Sequence, residues 1–524
     1  MRKKYKKVPL PNKKITTLKS NNYVFYVEST FRNDKGQPDN KRILIGKKEG
    51  DFLVPNHNYF DIFKVDKPEK EVIISDITRI GNYILFDKIT ETLDIKFMLK
   101  SIFPENYNNL LTIALYMLTN NKAMMYLEDY QEENKTYSKI ITSQQSSEIF
   151  KNIYLNNRND FFKKWIKKTK KDEYIAYDIT SISSYATANE YVEYGYNRDG
   201  EDLAQVNLGV YFGESSKLPI YYNLYSGSIN DKTYLQYMVQ GAKEQNINHA
   251  KLVLDTGFFS ESNLRYMADN SITFIICMQN INFIKEKIRE GNIVSSANSI
   301  KGRDVYGKAF EYPFKNKKFV AHVYYDNDKK SIEEKNLYKL IDKYEEELTT
   351  LKTITETTSK KYRKFFDIII NEDETFTYIK NHELIDDFRQ YLGYFACLSN
   401  DDLSSTEVLE IYRKKDIIEK HYDNLKNFID CNRFRVHSAE GLDGKIFINF
   451  ISLICKSYIE DIMKRHFGEI IVSVNKTLEE LAKIKMIKVN NKKRLVQPLT
   501  KKQKEILKAF DIKESDVLKK LQNL

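Results

Sequence analysis

Two aspartates and a glutamate occupy positions from which they could do chemistry together. Asp178 lies in the body of an apolar, β-forming run, YIAYDITS, and Asp255 closes another, LVLDTG. Glu419 lies in EVLEIYRKKDIIEKHYDNLK, residues 407–426, where Val408, Leu409, Tyr412, Ile418 and Leu425 can share one side of a helix. Tyr412 and Lys415 stand seven and four residues before Glu419, and Lys426 stands seven after it. Those spacings keep residues on one helical face. Carboxylates that converge repel one another unless a cation sits among them. Hard oxygen donors select Mg²⁺ or Mn²⁺. Two such ions held by shared carboxylates activate a water or hydroxyl at a phosphodiester and stabilise the leaving oxygen. Plainer roles remain open for each residue: a strand-end aspartate caps a turn, and charges at helical spacing form a solvated face. His421 reads as helix surface or packing, and the chemistry needs no histidine.

The elements around these residues follow from periodicity and turn chemistry. YIAYDITSIS, QVNLGVYFG and PIYYNLYSG read as three strands in hairpin order. Helix DKTYLQYMVQGAKEQ, strand HAKLVLDTGFF, Ser-capped helix SESNLRYMADN and strand TFIICMQ follow, which indicates a mixed sheet with helices on its faces. From about residue 280 to 374 the pattern loosens into an insertion with β-like FVAHVYYD and a long charged helical stretch, expected to protrude as a helix pair. GYFACLSN reads as a strand returning to the sheet, and Ser404 or Ser405 as the cap of the Glu419 helix. KIFINFISLICKSYIEDIMKRHF is apolar enough to be a buried helix, and TLEELAKIKMIKV and PLTKKQKEILKAF read as two amphipathic helices.

Ahead of this body, a β-hairpin is expected from Tyr23 to Lys47 around NDKGQPDN, and helices from Ile80 to Tyr154. The helical region suits either a reader of DNA ends or plain scaffolding. The basic start, with Arg2, Lys3, Lys4, Lys6, Lys7, Lys13 and Lys14, is either a solvated tail or an arm that touches phosphates. The expected divisions are 1–160, a core of 170–280 with 390–460, an insertion of 281–389, and a C-terminal helical region of 461–524.

Composition bounds the function. The 524 residues carry 84 Lys and Arg against 73 Asp and Glu, a net charge of +11 that suits a polyanionic partner. Cys277, Cys397, Cys431 and Cys455 are far apart with no CxxC pair, which argues against a zinc site or disulfide framework. Neither a secretory signal nor an apolar run of membrane-spanning length is visible, so a cytoplasmic, reduced setting is expected.

The residues around the three acids carry a resemblance. Tyr412, Lys415, Glu419 and Lys426 fit the spacing of a Tyr-Arg-Glu-Lys signature, and DLAQVNLGVYFG, PIYYNLYSGSIND and LVLDTGFFSESNL are similar to the segments around a first and second acid. Asp231 matches the Asp of a Gly-Asn-x-x-Asp motif in which Ser228 replaces Asn. Together with the Tyr23–Gly46 hairpin and IKFMLKSIF, these make the chain resemble DDE transposases of bacterial insertion sequences, in the Tyr-Arg-Glu-Lys subgroup. The resemblance implies an α/β, ribonuclease H-like mixed sheet with an inserted subdomain, an N-terminal hairpin and helical DNA-binding region, and C-terminal helices. It implies that Asp178, Asp255 and Glu419 hold two Mg²⁺ or Mn²⁺ ions. The protein would then cleave DNA at terminal inverted repeats and transfer the 3′-hydroxyl into target DNA, as a homodimer at paired ends and associated with the nucleoid. Tyr412, Lys415 and Lys426 would hold the terminal DNA backbone. Lys415 departs from the signature's Arg; it keeps the charge and loses the bidentate grip on phosphate. Arg413 beside Tyr412 could compensate. The alternatives are a DNA-binding relative that no longer cuts and a ribonuclease H-like nuclease without strand transfer.

Overall fold

The computed structural model describes residues 5–523 except 13, 19, 66–73, 121, 170–172, 185–188, 196–201, 230, 245–250, 279–280, 301, 303, 315–316, 416–432, 435–437, 469–472 and 490–492. Asp178 and Asp231 are described by their backbone alone. The chain divides into two compact units, residues 1–76 with 488–493, and 77–487 with 494–524.

In the first unit the expected hairpin pairs Tyr23–Arg32 with Pro38–Glu49, within an antiparallel sheet of five strands among the described residues. Its turn is built by Asn33, whose side-chain oxygen accepts from the amides of Lys35 and Gln37 at 3.0 and 3.1 Å. Val24, Ile45 and Leu53 form its small core.

The second unit centres on a mixed sheet of nine strands among the described residues. In chain order these are β1 (Tyr174–Ser184), β2 (Gln205–Gly213), β3 (Pro219–Ser226), β4 (Lys251–Leu254), β5 (Thr273–Cys277), β6 (Val305–Phe314), β7 (Lys317–Asp326), β8 (Tyr394–Ser399) and β9 (Arg433–Phe434). Their spatial order is β6-β7-β8-β5-β4-β1-β2-β3, with β9 also on β1. β1 to β3 form an antiparallel meander, while β4 is parallel to both β1 and β5. Parallel neighbours need crossovers; helices Asp231–Glu244 and Glu261–Asp269 supply them. β2 is buried along its whole length, as expected of a strand covered on both faces. Ser260 caps the second crossover helix by accepting from the Asn263 amide at 3.2 Å.

Helices from Gly81 to Thr169 share one continuous core with this sheet. Helix Ala439–Phe467 runs through that core and is buried on nearly every side, in keeping with its all-round apolar sequence. Gly444 lets it approach helix Ser143–Lys151: a Cβ there would lie 2.0 Å from the Phe150 carbonyl oxygen. Trp165, buried in helix Leu155–Thr169, donates from its indole N–H to the Pro219 carbonyl at 2.9 Å and ties the helices to β3.

Two expectations need correction. The stretch expected to hold a helix pair has one long helix, Asn327–Thr350, against a small hairpin of Phe366–Ile370 and Phe376–Lys380, with helix His382–Arg389. Phe366 and Ile368 are buried while Asp367 and Ile369 are exposed, a period-2 pattern beside a long charged helix that masks it. The strands preceding that helix, β6 and β7, extend the main sheet. TLEELAKIKMIKV is helical only to Ala482, the end of helix Val474–Ala482, and Lys485–Val489 is a strand in which Met486 is buried. Among the described residues, no helix is long and apolar enough to cross a membrane.

Candidate active site

Asp255 ends β4, where the chain turns through the short 3-10 segment Thr256–Phe258. One carboxylate oxygen, Oδ1, accepts from the Thr256 amide at 2.8 Å. The other, Oδ2, lies 3.6 Å from the Lys415 ammonium. So Asp255 does cap a turn, and it also faces a cation. The Asp255 side chain is 42% exposed and that of Lys415 only 1%. A lysine so deeply buried needs a counter-charge, and the mouth of the site is on the carboxylate's side.

Strand register sets Asp178 beside Asp255. Val253 pairs with Ala176 in the parallel β4–β1 ladder. Asp255 and Asp178 each stand two residues beyond that pair, and the Asp178 backbone pairs on its other side with Val210 of β2. Glu419 and Lys426 lie outside the described residues, as does His421. Among the described residues no group of three or more His, Cys, Asp or Glu side chains stands ready to hold a metal ion. The helix that leads to Glu419 is described over residues 405–415. Ser404 is its cap: its hydroxyl accepts from the Glu407 amide at 3.3 Å, while Glu407 reaches back to the Ser404 amide at 2.9 Å.

β7 holds that helix in place through alternate residues. His322 Nδ1 lies 3.1 Å from the Ser405 hydroxyl, and the Tyr324 hydroxyl donates to the Ser405 carbonyl at 2.7 Å. Asp326 accepts from the Arg413 guanidinium and also caps helix Asn327–Thr350, accepting from the Lys329 amide at 3.1 Å. Burial pushes His322 down to about 4, so it is neutral near pH 7. Lys414 pairs with Glu214, just beyond β2. Val408 and Leu409 are fully buried, as their periodicity implied.

Two thiols lie on neighbouring strands of the sheet. Cys277 at the end of β5 is directly opposite Cys397 of β8, and Cys397 is opposite His322 of β7. The polar groups around Cys277, first the Cys397 thiol and then those of Thr256 and Tyr412, hold its thiol below the ordinary range against the effect of burial. Burial and the neighbouring sulfurs push the Tyr412 phenol well up, so it stays protonated. Ser228, at the place of the motif's Asn, bonds to Glu193 together with Ser226, which lowers the Glu193 carboxyl.

Of the residues singled out in the sequence, the structure brings Asp255, Tyr412 and Lys415 together, and gives Arg413 a protein partner in Asp326. Thr256, Cys277, Cys397, His322, Tyr324 and Asp326 were not singled out. The alternation in FVAHVYYD could have flagged His322, Tyr324 and Asp326 as one face; nothing local points to the cysteines.

The family described as a transposase DDE domain matches residues 169–455, more than half of the chain. A search of curated proteins returns no match. Among solved structures the chain is similar to a cryo-electron microscopy structure of a piggyBac transposase synaptic complex with hairpin DNA, at 11% sequence identity and a TM-score of 0.35, covering 79% of this chain and 82% of that one.

Proposed function

The chain belongs to the DDE transposase family, and we propose that it cuts DNA at the inverted-repeat ends of an insertion sequence and joins the freed 3′-hydroxyl to target DNA. Within the family we place it in the Tyr-Arg-Glu-Lys subgroup. The observation that carries this reading is the Asp255 carboxylate, held at the carboxyl end of the central strand β4 against a buried cation and in register with Asp178 on the adjacent strand. The order β3-β2-β1-β4-β5, with an antiparallel meander followed by two parallel strands, supports a ribonuclease H-like core.

Asp178, Asp255 and Glu419 would hold two Mg²⁺ or Mn²⁺ ions. Their hard oxygens fit such ions, and Asp255 Oδ2 already stands opposite a positive charge. When bound, the ions supply Lewis-acid activation of the attacking oxygen and neutralise charge on the leaving one. The chain's own groups orient the site. The Thr256 amide and the Lys415 ammonium hold the Asp255 carboxylate from two sides. Tyr412, Arg413, Lys415 and Lys426 lie along one segment, from which they hold the backbone of the terminal DNA and position it without reading its sequence. The hairpin and helical region before the sheet would recognise the repeats, and a homodimer would pair the ends in the nucleoid.

The test is an assay with Mg²⁺ and DNA bearing the element's ends. Nicking followed by joining supports the proposal. Cleavage without joining leaves a nuclease, and binding without cleavage leaves an inactive relative. Asp255→Asn is expected to retain end binding and abolish nicking; a variant that still cuts removes Asp255 from the site.

A further inference from the structure

Cys277 and Cys397 are 120 positions apart in sequence yet face each other across antiparallel strands. The amide of Met278 donates to the carbonyl of Ala396 at 2.9 Å, which makes that neighbouring couple a hydrogen-bonded pair. The two cysteines therefore form a non-hydrogen-bonded pair, where side chains approach most closely and Cα atoms lie about 4.5 Å apart. That separation lies at the short end of the range of roughly 4.4–6.8 Å found for disulfides. Both are free thiols; Cys397 is fully buried, whereas Cys277 is partly exposed. Packing alone would be served by any small apolar pair. Cys277, however, stands one residue beyond the Leu254–Ile276 pair of the parallel β4–β5 ladder, as Asp255 does, and so lies at the site.

We propose that Cys277 and Cys397 form a peroxide-reactive dithiol, a covalent modification site beside Asp255 that closes reversibly to a cross-strand disulfide. The sulfur of Cys277, the accessible member, attacks one peroxide oxygen. An S–O bond forms, the O–O bond breaks, and the thiol proton leaves with the departing oxygen as water, giving a sulfenic acid. The sulfur of Cys397 then attacks the sulfenyl sulfur. An S–S bond forms, the S–O bond breaks, and a second water leaves with the Cys397 proton. Two thiols are oxidised by two electrons in all, and one peroxide is reduced to two waters.

The experiment treats the purified full-length chain with hydrogen peroxide, alkylates the remaining thiols, digests without reductant and maps the peptides. A Cys277–Cys397 cross-linked peptide that disappears with dithiothreitol is expected. In Cys397→Ala, peroxide should leave a sulfenic acid on Cys277 that dimedone traps, and wild type should show little of that adduct. Both thiols still alkylated after peroxide, or Cys277 joined to Cys431, would overturn the proposal. The mapping needs no DNA and no activity, so its outcome is independent of the function proposed above.

Discussion

Lys415 and His322 show how burial changes what a side chain does. Lys415 is 1% exposed, and its ammonium faces Asp255. The longer, planar guanidinium of arginine must be fitted into that volume, so Lys415→Arg should destabilise the protein by about 1–3 kcal/mol through overpacking. Thermal unfolding reads this directly; an unchanged or raised midpoint would mean that the pocket accommodates the fork. His322 is buried and neutral, held down to about 4 by desolvation. Its folded value lies below the unfolded one, so its contribution is complete above about pH 6.5. It is lost as pH falls toward 4, because the unfolded chain takes up the proton first. The loss is at most roughly 3 kcal/mol at about 1.4 kcal/mol per unit. Denaturant unfolding between pH 7 and 4 should show a shallower decline for His322→Gln than for wild type, and parallel slopes would count against the assignment.

One strand disciplines one helix. His322, Tyr324 and Asp326 lie on the same side of β7, and all three meet the helix over residues 405–415. Tyr324→Phe removes the bond to the Ser405 carbonyl and should cost about 1 kcal/mol. Asp326→Ala should cost more, because it removes a helix cap, worth about 1 kcal/mol by itself, together with the Arg413 partner. In a double-mutant cycle, Arg413→Ala and Asp326→Ala should couple; strict additivity would mean that the pair does not hold the helix. The helix itself was legible in the sequence from its apolar periodicity and its Ser-x-x-Glu cap. Its clamp was not, since β7 precedes the helix by about 80 residues and pairs with it only through the folded sheet.

At the scale of the molecule the hydrophobic cores are separate. Leu337, Ile341, Phe365, Phe366 and Ile385 pack with one another and form a cluster apart from that of the main sheet. Phe366→Ala should therefore cost about 3–5 kcal/mol, spent within residues 337–392. Hydrogen exchange should quicken there while β1, β4 and β5 keep their protection; loss of protection in those strands would show that the two cores unfold together. The expected helix pair failed here because a charged amphipathic helix dominates the pattern, and the short hairpin beside it carries too few residues to register.

The sequence by itself determined which residues could do chemistry: carboxylates placed in and after β-forming runs, cations at helical spacing, and the strand-helix order of a mixed sheet. These are local properties, written in side-chain type and period. Only the tertiary structure decided that Lys415 is buried against Asp255, that Arg413 pairs with Asp326, and that Cys277, Cys397 and His322 form one row across three strands. Register between strands far apart in the chain is set by which faces the whole sheet buries, and no segment carries that information alone.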